Sequence, residues 1–186
     1  MSLTPQQVEK EINNIDKKTD LDLIKDFYNW RLPVNARQKQ IAPSGNWTNW
    51  LILAGRGFGK TRTGAEWIRE RVETGEAKRI AIVGKTPADV RDVMIEGESG
   101  IITISPPWNK PDYQPSRRRL VWKNGSVAHI FSSYEPDQLR GPQFDTAWCD
   151  ELASWEYPQE TWDNLMFGLR LGTIPQVVLT TTHRPL

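Results

Sequence analysis

Trp50-Leu51-Ile52-Leu53-Ala54-Gly55-Arg56-Gly57-Phe58-Gly59-Lys60-Thr61 is an apolar run that breaks into a glycine-rich turn and closes on Gly-Lys-Thr. Directly after it, Gly64-Ala65-Glu66-Trp67-Ile68 has helical spacing. Strand, glycine-rich loop and helix in that order form a phosphate-binding P-loop. Each residue type has a physical task in it. Glycines such as Gly55, Gly57 and Gly59 let backbone N–H groups turn onto phosphate oxygens, with Phe58 and Arg62 lining the same turn. Lys60 reaches the β and γ phosphates, Thr61 offers its hydroxyl to Mg²⁺, and the helix starting at Lys60 adds the positive end of its dipole. Ala54 stands where the strict pattern has its first glycine. The alternative, a glycine-rich loop with an incidental lysine, does not explain the strand before it and the helix after it.

Bulk properties narrow the class. A chain of 186 residues, 38% hydrophobic and 25% charged, suits one globular domain with a real core. The net charge of +1 makes no demand for a nucleic-acid partner, so any basic surface has to be local. The single cysteine, Cys149, excludes an internal disulfide and fits a reducing compartment. No apolar run approaches membrane-spanning length, and the polar N-terminus is no signal peptide, so the sequons at Asn46 and Asn124 carry little meaning. Most of the nine tryptophans are expected in the core or in grooves rather than on a base-stacking platform.

Along the chain, Thr4-Pro5 opens a short helix to about Ile12, and Asp20 caps a second from Leu21 to Trp30, with Leu21, Ile24, Phe27 and Tyr28 on one face. Residues 1–35 thus read as an N-terminal helical segment and 36–186 as the P-loop domain. Within that domain the spacing predicts a helix from the P-loop to Glu73, with Ala65, Ile68 and Val72 inward. It predicts a buried strand at Ile80–Val83, a Thr86-capped helix to Glu96, and a hairpin of Leu120–Trp122 with Val127–Phe131 across Asn124-Gly125. A buried strand at Phe144–Cys149, a helix at Pro158–Leu169 and a strand at Gln176–Thr181 complete an α/β fold, a mostly parallel sheet flanked by helices with an inserted β-hairpin.

A P-loop alone hydrolyses nothing. The strand Phe144-Asp145-Thr146-Ala147-Trp148-Cys149 ends in Asp150-Glu151 and supplies the second half of a hydrolytic site. The first acid suits Mg²⁺, usually through water, and the second suits polarisation of the attacking water. Cys149 reads as a small buried strand residue.

Through these residues the chain resembles the ATPase domain of tailed-phage terminase large subunits and the related packaging ATPases of prophages and gene transfer agents. The resemblance rests on Leu51 to Arg69, with Gly55 to Trp67 inside it, and on four further segments in the family's order: Arg37 with Gln40, Leu139-Arg140-Gly141-Pro142-Gln143, Trp148 to Ala153, and Thr180-Thr181-Thr182-His183-Arg184-Pro185. It implies an additional-strand (ASCE) P-loop fold and ATP-driven packaging of double-stranded DNA into a procapsid. A ring of subunits would act on the portal protein, with the terminase small subunit as partner, in the host cytoplasm. By residue, it implies that Gln40 contacts adenine, Arg56 touches the γ-phosphate, Arg140 reaches a neighbouring subunit's site, and Thr180, Thr181 and Thr182 couple hydrolysis to movement. Physical alternatives stand beside these roles: a solvated loop arginine for Arg56, a structural salt bridge for Arg140, and strand propensity for the threonines. His183 departs from the family's pattern and is given no role. Large subunits of this kind normally continue into a nuclease domain, for which there is no room before Leu186, so no nuclease activity is expected.

Other features are weaker. Asn109-Lys110-Pro111-Asp112 spells a guanine-specificity motif, but it follows Pro106-Pro107-Trp108 rather than a buried strand, and no Asp-x-x-Gly precedes it. Arg117-Arg118-Arg119 could grip phosphates, or be a solvated strand edge. Two histidines and one cysteine are too few for a zinc site. The competing functions are a helicase-like DNA-dependent ATPase, which would need a second P-loop-like domain, and an inactive nucleotide-binding prophage fragment.

Overall fold

The computed structural model describes residues 20–183. The helix expected at Thr4–Ile12 and the residues Arg184 and Pro185 lie outside that range. The chain divides into two compact units, Met1–Gln38 and Lys39–Leu186. In the first, α1 spans Asp20–Tyr28, so Asp20 is itself helical and the helix ends two residues short of Trp30. Asn35 explains that stop. Its side-chain amide donates to the carbonyls of Asp26 (3.0 Å), Phe27 (3.3 Å) and Asn29 (2.8 Å), satisfying acceptors that a continuing helix would have used. Leu21, Ile24 and Phe27 of the expected apolar face are exposed.

The second unit is built on a seven-stranded sheet in the order β1-β7-β6-β2-β5-β4-β3. The strands are β1 (Asn49–Leu53), β2 (Arg79–Gly84), β3 (Asp112–Gln114), β4 (Arg119–Val121), β5 (Val127–Ser132), β6 (Thr146–Cys149) and β7 (Gln176–Thr181). From β1 through β5 neighbours run parallel, while β4 and β3 are added antiparallel. The hairpin read from Asn124-Gly125 is therefore present as β4 and β5, with Gly125 at φ 85° in the turn. The three-residue β3 has no sequence signal of its own, because Asp112-Tyr113-Gln114 gains strand character only by pairing with β4.

Alternation along the strands gives the sheet two different faces. Ile52, Ile80, Ile82, Ala128, Ile130, Trp148 and Val178 form one core with α2 (Lys60–Glu73), which contributes Ala65, Ile68 and Val72, all at 0% exposure. Ala81, Val83, Phe131, Ala147, Cys149, Val177 and Leu179 form the other, closed by Leu165 and Leu169 at the C-terminal end of α5 (Pro158–Gly168). Successive residues of a strand point to opposite faces, so continuous apolar runs such as Ile80–Val83 serve both cores. Where α2 crosses the sheet it does so at Gly64: a Cβ there would lie 2.2 Å from Trp148 Cε2, inside any real contact distance. After β2, Thr86 caps α3 (Pro87–Asp89) through a reciprocal pair with Asp89, as its sequence indicated. The segment then winds as a π-helical turn over Val90–Ile95 rather than continuing as α-helix, and leads through Gly97 and Gly100 to α4 (Ile101–Ile104). No helix among the described residues is long and apolar enough to cross a membrane.

One polar feature of α2 was not legible as such. Glu66 and Arg69 are buried, at 2% and 5% exposure. Arg62 Nε donates to Glu66 at 2.9 Å, Arg69 Nε donates to Glu66 at 2.6 Å, and Arg69 also pairs with Glu73 at 2.7 Å. The ladder reaches Trp108, whose indole N–H donates to Glu73 at 2.9 Å. The Asn109 amide donates to the Arg69 carbonyl at 3.3 Å, so the residue that opens the apparent guanine motif serves to fasten its loop to α2.

Candidate active site

Topology sets the site. β1 delivers the loop Ala54–Gly59 at its C-terminal end, β6 delivers Asp150 and Glu151 at the same end, and β7 lies between them, hydrogen-bonded to both. A strand interposed between the P-loop strand and the acidic strand is the additional-strand arrangement. The loop's turn requires Gly57 at φ 77° and Gly59 at φ 89°, both in the left-handed region that glycine occupies without strain. Gly55 is not in that region, and its position tolerates a Cβ sterically. Gly59 precedes α2, and its carbonyl accepts from the backbone N–H (2.9 Å) and the hydroxyl (2.9 Å) of Thr63.

Lys60 is buried, and its ammonium curls back onto the loop, donating to the Ala54 carbonyl at 3.0 Å and the Gly55 carbonyl at 3.2 Å. The same ammonium lies 3.5 Å from Glu151 Oε1. The lysine of the loop and the second acid of the β6 end thus come together across an intervening strand, although 91 positions separate Lys60 and Glu151 in sequence (151 − 60). Glu151 has φ 48° and ψ 49°, a left-handed conformation that costs a non-glycine residue about 1 kcal/mol or more. Thr182 holds it there: its hydroxyl donates to Glu151 Oε1 at 2.8 Å and its backbone N–H to Oε2 at 3.2 Å.

The other two threonines make equally specific contacts. Thr180, fully buried, accepts from the Trp148 indole at 3.3 Å, and its hydroxyl is in hydrogen-bonding reach of Asp150 Oδ1 and of the Cys149 carbonyl (3.1 Å). Thr181 accepts from the Ala153 backbone N–H at 3.1 Å. The run Thr180-Thr181-Thr182 therefore binds the first acid, the turn beyond it and the second acid in turn. Strand propensity would have required only side chains that pack.

Burial pushes the Asp150 carboxyl up to about 6; the Thr180 hydroxyl opposes that rise, the Glu151 charge adds to it and Lys60 again opposes it. A carboxyl raised above its unfolded value near 3.9 binds its proton more tightly when folded. Its burial therefore costs stability above about pH 6, and the cost disappears as pH falls through the window from about 6 to 4. The expected result is that metal-free protein gains resistance to urea between pH 7 and pH 5 from this group. Asp150→Asn is expected to flatten that part of the profile by about 1 kcal/mol. An unchanged slope in the variant would assign the pH dependence to other groups.

An open cleft of about 930 Å³ lies over the loop, lined by Arg56, Gly57, Gly59, Lys60, Thr61, Arg62 and Glu151. Its opposite wall, Asp92, Val93 and Gly97 to Ser99, was missed in the sequence. The available signal was the pair Gly97 and Gly100 breaking the apolar period. Arg62 lines the cleft while bonded to Glu66, so its direction is fixed by the ladder on α2. Gln40 is buried against the loop: its amide donates to the Phe58 carbonyl at 2.6 Å, and a Cβ on Gly59 would meet it at 2.5 Å. Phe58 itself packs against the α2-side core. Arg140 does not line this cleft. It pairs with Asp137 at 3.1 Å and Glu160 at 3.7 Å and donates to Asn164 at 3.3 Å, with its side chain 62% exposed. Cys149 is fully buried and its thiol is pushed up out of the reactive range by that burial and by Asp150.

A family model described as terminase large subunit, T4likevirus-type, N-terminal, matches residues 51–186. The chain belongs to that family. No curated protein matches it. Among solved structures, this terminase domain is similar to the large terminase ATPase domain of Thermus phage P74-26. The TM-score is 0.58 at 17% identity, covering 90% of this chain and 70% of that one. An arginine-to-alanine mutant of the same domain gives 0.55 at 16%, covering 77% and 62%. The large terminase of a second thermophilic bacteriophage, in complex with ADP, gives 0.56 at 14%, covering 87% of this chain and 38% of that one. At these identities the likeness is one of fold, and the terminase chain described here spans only part of the length of those relatives.

Proposed function

We propose that this terminase domain is a Mg²⁺-dependent ATPase and the motor part of a machine that drives double-stranded DNA into a procapsid. The observation that carries the reading is Glu151, held in a strained backbone conformation by Thr182 and 3.5 Å from the P-loop ammonium of Lys60. A carboxylate fixed beside the γ-phosphate position, with no packing role, suits a group that polarises attacking water. Thr61 and Asp150 supply two hard oxygen donors, and no cluster of three or more acidic, histidine or cysteine ligands exists among the described residues. That donor set fits Mg²⁺, which keeps waters and takes its remaining ligands from phosphates. Bound there, the ion would neutralise negative charge on the phosphates.

The chain's own residues supply the rest. The N–H groups of the loop through Gly59 and the Lys60 ammonium cradle the phosphates, and Lys60 exchanges its carbonyl contacts at Ala54 and Gly55 for phosphate oxygens. Arg56, exposed on the cleft, is placed to neutralise charge on the transferred phosphoryl group. Gln40 acts from beneath the loop, so adenine contact and loop position are linked through one side chain. Arg140, outside the cleft, serves a neighbouring subunit's site in a ring. Loss of the γ-phosphate reaches Thr182 through Glu151 and is passed along β7. The ADP complex of the second phage's large terminase supports a nucleotide in this fold.

The test is steady-state phosphate release by the purified chain with ATP, with and without Mg²⁺, beside Lys60→Ala. Turnover that needs Mg²⁺ and disappears in the variant, together with its ATP binding, is the expected result. Mg²⁺-independent turnover, or a variant with native turnover, would remove this site as its source.

A further inference from the structure

The sheet face opposite α2 is apolar over β6 and β7 and over Ala81, Val83 and Phe131 of β2 and β5, but a different chemistry occupies its margin at Arg79, His129 and Arg119. Ile80, Ala128, Ile130 and Leu120 point into the α2-side core, so their neighbours Arg79, His129 and Arg119 share the opposite face. The register places His129 directly beside Arg119 on β4 and beside Ala81 on β2, with Arg79 two residues before Ala81 on that strand. Arg79 is exposed, and His129 and Arg119 are half-buried. Neither arginine makes an ion pair among the described residues; Arg119 Nε donates instead to the neutral Gln114 at 2.8 Å. Burial, then Arg119, then Arg79 lower the proton affinity of His129, the signature of cations crowded on one surface without an acid between them. Three acids border the strip. Glu76 lines one open cleft with Arg79 and pairs with Arg71 at 3.3 Å. Asp145 is buried and already accepts the backbone N–H groups of Lys78 and Arg79 at 2.9 Å each, and Asp112, on the outermost strand, accepts from Gln114 at 2.8 Å.

We propose that Arg79, His129 and Arg119 form a contact surface for the phosphate backbone of double-stranded DNA. The inference rests on the DNA-motor reading above and adds to it the surface that touches the polymer. A protein of net charge +1 has to localise its positive potential, and this face leaves two guanidiniums uncompensated where a folded core gains nothing from them. The outer two of three adjacent strands lie about 10 Å apart, roughly three rises of about 3.4 Å along one strand of a duplex. Arginines that meet phosphates make backbone contact that carries no sequence preference, the kind a translocating motor needs. Of the run Arg117-Arg118-Arg119, Arg118 pairs with Glu135 at 3.2 Å, and Arg119 is the member that the register sets beside His129.

The experiment is fluorescence anisotropy of a labelled mixed-sequence duplex titrated with the full chain over a range of salt concentrations. Arg79→Ala with Arg119→Ala is expected to lower the slope of log K against log salt by about two and to weaken binding roughly tenfold at moderate salt. Nucleotide turnover should be unaffected, because neither arginine lines the cleft. A double variant that binds the duplex with the wild-type slope overturns the surface while leaving the ATPase reading intact. Wild-type protein that hydrolyses ATP yet shows no salt-dependent duplex binding overturns both the surface and the DNA part of the reading. Poly-glutamate run as a second ligand separates the remaining case. If the variant loses that ligand but keeps the duplex, the face belongs to an acidic protein and the proposal fails.

Discussion

Glu151→Gln is expected to lower ATP turnover by about 10²–10⁴-fold while leaving ATP affinity within a few-fold of wild type. Glutamine has the same length, keeps an oxygen to accept from the Thr182 hydroxyl, and is no worse than glutamate in the left-handed backbone conformation found there. It loses the charge that lies 3.5 Å from Lys60 and the ability to draw a proton from water. Because the side chain is partly exposed and makes no core contacts, the fold should be unaffected. Phosphate-release kinetics and nucleotide binding measured on the same preparation check this. A variant with native turnover would remove Glu151 from the reaction, and one that fails to bind ATP would show that the lysine–acid contact holds the loop in shape.

Glu66→Leu should destabilise the domain by about 3–5 kcal/mol in urea unfolding. The carboxylate is 2% exposed and receives both Arg62 and Arg69, so its removal takes from the buried Arg69 guanidinium the carboxylate it approaches at 2.6 Å. Replacing Glu66 and Arg69 together, by leucine and methionine, should recover much of the loss, since a buried pair exchanged for apolar side chains is often neutral or better. If the single variant is as stable as wild type, the ladder has no structural role. A loss in ATP affinity in the double variant, with stability recovered, would attribute to Glu66 the orientation of Arg62 over the cleft.

These two residues also show where sequence was informative. The strands around the site are marked by short apolar runs bounded by turn residues, and β7 spans Gln176–Thr181, the same residues that its β-branched pattern marks. The P-loop was legible because its glycines are demanded by backbone geometry, a local requirement. What could not be read locally depends on partners far along the chain. A glutamate in the first turns of a helix looks solvated until Arg62 and Arg69 are seen to close over it. The π-helical turn at Val90–Ile95 and the strand at Asp112–Gln114 exist because neighbouring elements impose them. The threonines illustrate both halves: their strand was plain, whereas their assignment to Asp150, Ala153 and Glu151 needed the register of β7 against β6.

That register carries an indel constraint. Leu53 is aligned with Thr181 on one side of β7, and Cys149 with Leu179 on the other, so a single strand sets the relative height of loop and acids. Side chains alternate with a period of two, and loss or gain of one residue within Gln176–Thr181 would turn every one of them over. Thr180 would leave Asp150 and Thr182 would leave Glu151 in the same event. Point substitutions can weaken those contacts one at a time, but β7 has only one workable length.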